Sequence, residues 1–133
     1  MRAPPPSVYV FLDSAFVIDH LKGHRPAVDR LLQIFSRGDR PLINEIIVCE
    51  VGAGLQTEDE PILTRLFEPM EFIQQGPDTA LLAGRWRAEA RRRGRALSLA
   101  HALIAAAAYS NRAWVVTRNL RDFALTPVQL ETY

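Results

Sequence analysis

The chain has 133 residues, 48% of them hydrophobic, with 16 basic and 15 acidic side chains and a formal net charge of +1, a balance that fits one globular domain over residues 1–133 and excludes a strongly basic or acidic protein. Such a chain buries roughly two-thirds of its unfolded surface and needs no disulfide or structural zinc, and its lone Cys49, set in an apolar run, excludes an internal disulfide and favours a reducing compartment. The start, Met1 to Pro6, lacks the apolar core of a signal peptide, and no apolar stretch approaches the ~20 residues that cross a bilayer, so the expectation is a cytoplasmic protein without a membrane partner.

Val8 to Leu12 is an apolar, β-branched and aromatic run of the kind that fills a buried strand, and it ends on Asp13. Ser14 to Leu21 and Pro26 to Phe35 have helical spacing, the second with Val28, Leu31, Leu32 and Phe35 on one face and Gly38 as a stop. Pro41 to Ile43 predicts a short strand and Glu45 to Leu55 an apolar helix, whose Gly52 and Gly54 would let it lie close to another backbone. Thr57 to Phe67 continues in helical periodicity with Thr57 as a cap, and Met70 to Gln74 reads as another strand.

Asp78 to Arg93 predicts the longest polar-faced helix, broken at Gly94. It contains most of a cluster of Arg85, Arg87, Arg91, Arg92, Arg93 and Arg95; every basic residue of the chain except Lys22 is an arginine. The planar arginine fork suits phosphates, although an isolated charge run is commonly only a solvated helix face. Ser98 then starts an alanine-rich helix to about Tyr109, Ala113 to Thr117 predicts a strand, and Pro127 to Leu130 an edge strand. Strands alternating with helices predict a parallel α/β sandwich.

In an open parallel sheet, ligands bind beyond the carboxyl ends of the strands, where loops and helix N-termini converge. Asp13 directly follows the first strand and the segment Thr117 to Asp122 directly follows the strand at Trp114, so both acids can meet at one edge. An aspartate in that place is often only a helix cap, and it is the combination that points to chemistry. Glu50 sits among apolar and small neighbours, where a carboxylate is costly unless it meets a cation, either a metal ion or an arginine.

These residues together resemble a family. Asp13 with Ser14 after an apolar strand, Glu50 in a mid-chain helix, the stretch Leu97 to Ala108, and Thr117-Arg-Asn-Leu-Arg-Asp-Phe123 are similar to the PIN domain of the VapC toxins, in order and over almost the whole chain. The resemblance implies a three-layer sandwich with a short parallel β-sheet flanked by helices, Mg²⁺- or Mn²⁺-dependent cleavage of RNA, homodimerisation, and neutralisation by a cognate antitoxin. Carried over residue by residue, Asp13, Glu50 and Asp122 would hold metal, with Ser14, Thr117 and Asn119 in support. Arg91, Arg92, Arg95 and Arg118 would line the path of the RNA.

One family acid is missing, because His101 stands where these toxins have aspartate. Mg²⁺ prefers hard oxygen ligands, whereas imidazole suits Mn²⁺, Zn²⁺ or Ni²⁺, so the site should bind Mg²⁺ weakly. With Ser98 as cap, position 101 would also favour an acid that completes a capping box. His101 is open to several readings: a ligand retuning the site, a natural loss of catalysis, an inactivating change introduced or selected in an expression host, or a histidine that merely packs. The functional alternatives are accordingly an endoribonuclease toxin and a catalytically silent PIN-fold protein that binds antitoxin and regulates. A PIN-like nuclease outside toxin–antitoxin biology is a third.

Overall fold

In a computed structural model that describes residues 7–133, the first apolar run becomes strand β1 (Tyr9–Leu12), the middle strand of a five-stranded sheet. Val10, Phe11 and Leu12 are all buried, as a parallel strand covered on both faces requires. The expectation placed on Met1 to Pro6 lies outside the described residues. Strand β1 pairs in parallel with β2 (Arg40–Ile43) on one side and with β4 (Trp114–Val116) on the other. The two-residue strands β3 (Glu71–Phe72) and β5 (Leu130–Glu131) close the edges in the order β3-β2-β1-β4-β5. The chain therefore winds outward from β1 to β3 and then returns to β4, beside its starting strand. The crevice between the ends of β1 and β4 is the switch point at which open parallel sheets bind ligands.

The connections are helices α1 (Ser14–Leu21), α2 (Arg25–Ser36), α3 (Glu45–Ala53), α4 (Glu60–Phe67), α5 (Pro77–Arg92) and α6 (Leu99–Ser110). Pro26, Pro61 and Pro77 fall in the first turns of α2, α4 and α5, where a missing N–H costs nothing. Gly38 and Gly94 take positive φ angles of 74° and 70° and stop α2 and α5 as expected. Among the described residues no helix is long and apolar enough to cross a membrane.

Three local expectations are corrected. Helix α2 buries Ala27, Leu31 and Ile34, whereas Leu32 and Phe35 are exposed, so its inner face is turned from the one the large side chains suggested. The small Ala27 was overlooked as a contact. Thr57 caps nothing; it opens a short 3₁₀ turn (Thr57–Asp59) that precedes α4. Gly52 has no heavy atom near the place a Cβ would occupy, and Gly54 meets only the Val51 carbonyl of its own helix, so neither permits a close backbone approach.

The main core joins Phe11, Leu12, Phe16, Ile34, Leu42, Ile47, Ile104, Val115 and Phe123 around the sheet. A second, smaller core of Ala83, Ala90, Leu97, Ala102 and Ala106 lies between α5 and α6. Its small side chains let the two helices pack closely, which fixes the arginine-bearing helix directly before the helix that carries His101.

Candidate active site

Asp13 occupies the first position after β1 and has two constraints built into it. As the N-cap of α1 its Oδ1 accepts from the Ser14 N–H at 2.9 Å, and its own N–H donates to the Val116 carbonyl of β4 at 3.1 Å. Its Oδ2 accepts a 2.7 Å hydrogen bond from the Thr117 hydroxyl, and both residues are buried. Burial raises the Asp13 carboxyl pKa above its ordinary value. Hydrogen bonds from Thr117 and Ser14 and the charge of His101 oppose that rise, while the charge of Glu50 adds to it. Ser14 supports Asp13 through its backbone.

Glu50 reaches this edge from α3, which packs against α1. Its Oε1 is buried with no hydrogen-bond partner, an expensive state for a carboxylate oxygen. Thr117 also accepts from the Asn119 N–H at 3.0 Å, tightening the loop after β4. The loop ends in a 3₁₀ turn (Leu120–Phe123) whose Phe123 is fully buried, while the Asp122 side chain remains 41% exposed. Asp122 is therefore presented at the surface by a loop anchored on both sides.

His101 is the third residue of α6, above the cap Ser98. The Ser98 hydroxyl accepts from the His101 N–H at 3.1 Å and lies 2.7 Å from Nδ1. The imidazole meets the Phe123 ring edge to face at 5.1 Å, and its Nε2 is 3.5 Å from Asp122 Oδ2. Asp13 thus lies within reach of the charges of Glu50 and His101, and His101 faces Asp122. Among the described residues no three acidic, histidine or cysteine side chains stand close enough to form a ready metal cage. Of the three carboxylates, Glu50 has one oxygen orphaned and Asp13 is burdened by burial.

The arginines separate into three groups. Arg92 and Arg93 both pair with Glu89, at 2.6 and 3.3 Å. Arg91 and Arg95 line a groove with Arg87, Ala96 and Leu97, and Arg87 donates to the Leu97 carbonyl at 3.0 Å. The groove's last lining residue, Leu97, directly precedes Ser98, the cap of α6. Arg118 gives its Nη1 to Asp19 at 2.7 Å.

Sequence reasoning missed Asn44. It follows β2 as Asp13 follows β1, and with Phe11 opposite Leu42 the two residues stand at one level of the sheet edge. Asn44 is fully buried, and its Oδ1 caps α3 by accepting from Ile46 and Ile47 N–H, both at 3.1 Å. Its Nδ2 has no partner. An asparagine between an apolar strand and Glu45 was the available signal for the cap, though not for the orphaned donor.

A sequence profile described as PIN domain matches residues 10–128. Ribonuclease VapC19 from Mycobacterium tuberculosis is 27% identical over 116 residues, covering 87% of this chain and 93% of that protein. Among solved structures, VapBC2 from Rickettsia felis bound to a DNA fragment from its promoter superposes with a TM-score of 0.82 at 20% identity, over 95% of this chain and 99% of that one. A toxin–antitoxin complex from Klebsiella pneumoniae reaches a TM-score of 0.72 at 28% identity, over 89% and 92% of the two chains.

Proposed function

The chain belongs to the PIN domain family, and on that premise we propose that it is the toxin of a type II toxin–antitoxin pair: a metal-dependent endoribonuclease, homodimeric and cytoplasmic, restrained by a cognate antitoxin. The likeness to ribonuclease VapC19 and to toxin–antitoxin complexes supports the activity and the partner class. The observation that carries the reading is the carboxylate charge gathered near the β1/β4 switch point. There Asp13 is buried beside the Glu50 charge, and Glu50 keeps an orphaned oxygen.

Asp13, Glu50 and Asp122 would hold Mg²⁺ or Mn²⁺ through carboxylate oxygens, and His101 would offer Nε2. When bound, the ion lowers the pKa of an attacking water and offsets charge on the leaving oxygen. The protein's own groups do the rest. Thr117 holds Asp13 Oδ2 in a fixed direction, and Asn119 tightens the turn that delivers Asp122. Arg91 and Arg95, which form no ion pair among the described residues, line a groove that ends at Leu97, just before the cap of α6, where RNA phosphates would be drawn in and oriented.

A second reading, a silent PIN-fold protein that binds antitoxin and regulates, is favoured by one observation: the imidazole of His101, at the position where the family resemblance expects an acid, faces Asp122. RNA cleavage by this chain and by His101→Asp, each with Mg²⁺ and with Mn²⁺, separates the two. Restoring the aspartate should raise Mg²⁺-dependent cleavage beyond the ~10–100-fold typical of outer-sphere partners. If His101 is a working ligand, Mn²⁺ should rescue this chain more than it rescues His101→Ala. Equal Mg²⁺-dependent rates for this chain and His101→Asp would remove position 101 from the metal site.

A further inference from the structure

Asp19 lies in the body of α1, only 5% exposed, where a carboxylate requires strong partners. It has two. Oδ1 accepts from Arg118 Nη1 at 2.7 Å, and Oδ2 accepts from the Tyr133 hydroxyl at 2.6 Å. The Tyr133 ring packs edge to face on Phe16 at 4.9 Å, so the phenol is seated as well as hydrogen-bonded. Burial first, and then the Asp19 carboxylate, push the Tyr133 hydroxyl far above its ordinary pKa, which keeps it a donor at any working pH.

This cluster meets the site through one residue. Arg118 is the second residue of the loop that starts at Thr117 and delivers Asp122. Thr117 is tied to Asp13 and Phe123 is sunk in the core, so Arg118 sits at the free flank of a short span. Asp122 is 41% exposed and its side chain reaches His101 only at 3.5 Å, so its place is set by the loop rather than by contacts of its own.

We propose that Tyr133, Asp19 and Arg118 are a positioning chain, running from the segment after β5 through α1 to the β4 loop, that holds the Asp122 carboxylate at the site edge. The proposal rests on the metal-site reading given above for the meaning of Asp122, but the mechanical coupling stands on the hydrogen bonds alone. Arg118, expected from the sequence to bind RNA, gives its Nη1 to Asp19 and keeps half of its side chain exposed.

The decisive variant is Tyr133→Phe, which keeps the ring on Phe16 and deletes only the hydroxyl; Arg118→Lys keeps the charge but loses the planar fork. Amide hydrogen exchange, Mn²⁺ binding by calorimetry and RNA cleavage are measured on the full chain. Exchange at Asn119 to Asp122 should speed by about tenfold in both variants while β1 and α6 stay protected. Mn²⁺ affinity should fall by about tenfold, the lower end of outer-sphere effects. Loop exchange and Mn²⁺ affinity within twofold of the parent would overturn the proposal. So would loss of protection spread evenly over β1 and α6, which marks a merely structural contact. If the parent neither binds Mn²⁺ nor cuts RNA, the metal-site reading fails, and the loop exchange alone decides the positioning chain.

Discussion

Asp13 and Asp19 belong to one strand–helix unit and both are buried, at 2% and 5% exposure, yet they keep opposite electrostatic company. Asp19 meets a guanidinium and a phenol, and its charge is answered within the chain. Asp13 accepts hydrogen bonds only from the neutral donors Ser14 and Thr117, and the charges near it are divided, that of His101 favouring its ionised form and that of Glu50 opposing it. The lesson is that burial alone does not mark function. A buried carboxylate whose charge is answered holds the fold, and one left unanswered awaits a cation from outside.

The strongest way to break this contrast is Asp13→Asn, which removes charge and changes little volume. RNA cleavage and Mn²⁺ uptake should fall by more than ~100-fold, beyond outer-sphere effects, as measured by single-turnover kinetics and calorimetry. Retained Mn²⁺ affinity would show that the Asp13 charge needs no cation. On the other side of the contrast, Asp19→Ala should lower unfolding free energy by about 2–3 kcal/mol in denaturant titration. That is less than the ~3–5 kcal/mol of fully buried pairs, because Arg118 is half exposed and partly solvated. A change near zero would mean that the Asp19 pairs hold nothing.

A smaller effect sharpens the same idea among the arginines. Charge reversal at Arg91 and Arg95 should weaken RNA binding and flatten its salt dependence by about one phosphate each, whereas reversal at Arg92 and Arg93, already paired with Glu89, should do less. Equal losses for the two pairs would assign RNA to the whole helix face. The mildest expectation is thermal. The folded pKa of Asp13 is raised, so the native state binds the proton more tightly than the unfolded chain, and stability is lost as pH climbs through and above the ordinary aspartate range. Asp13→Asn should therefore melt higher than the parent at neutral pH, with the gap closing at pH values below the ordinary aspartate range. A gap independent of pH would deny that the Asp13 charge is a burden.

Much of this was legible in the sequence for identifiable reasons. The run before Asp13 could only be a buried strand, the alanine-rich stretch after Ser98 could only pack closely, and Gly38 and Gly94 marked real stops. The inner face of α2 was misread because Leu32 and Phe35 are large and apolar yet exposed, while the small Ala27 carries the contact. Asn44 and the Asp19 cluster were invisible for different reasons. The Asn44 cap is local and its orphaned donor has no partner to be read from, whereas the Asp19 partners lie across the fold, Arg118 being 99 positions away, and no local period encodes such a meeting. The mechanical tie on Arg118 could not be told from a free phosphate ligand without its neighbour.

The hydrogen bond between Ser98 and His101 bears on which tautomer the imidazole adopts. The serine oxygen already accepts from the His101 N–H, leaving its hydrogen free to be given to Nδ1. In that arrangement Nε2 carries the ring proton and faces Asp122 as a donor, closed to any cation. Opening it requires the hydroxyl to rotate and the proton to move to Nδ1, a change that ring nitrogen chemical shifts would read directly. One serine rotor thus decides whether Nε2 meets Asp122 with its proton or without it.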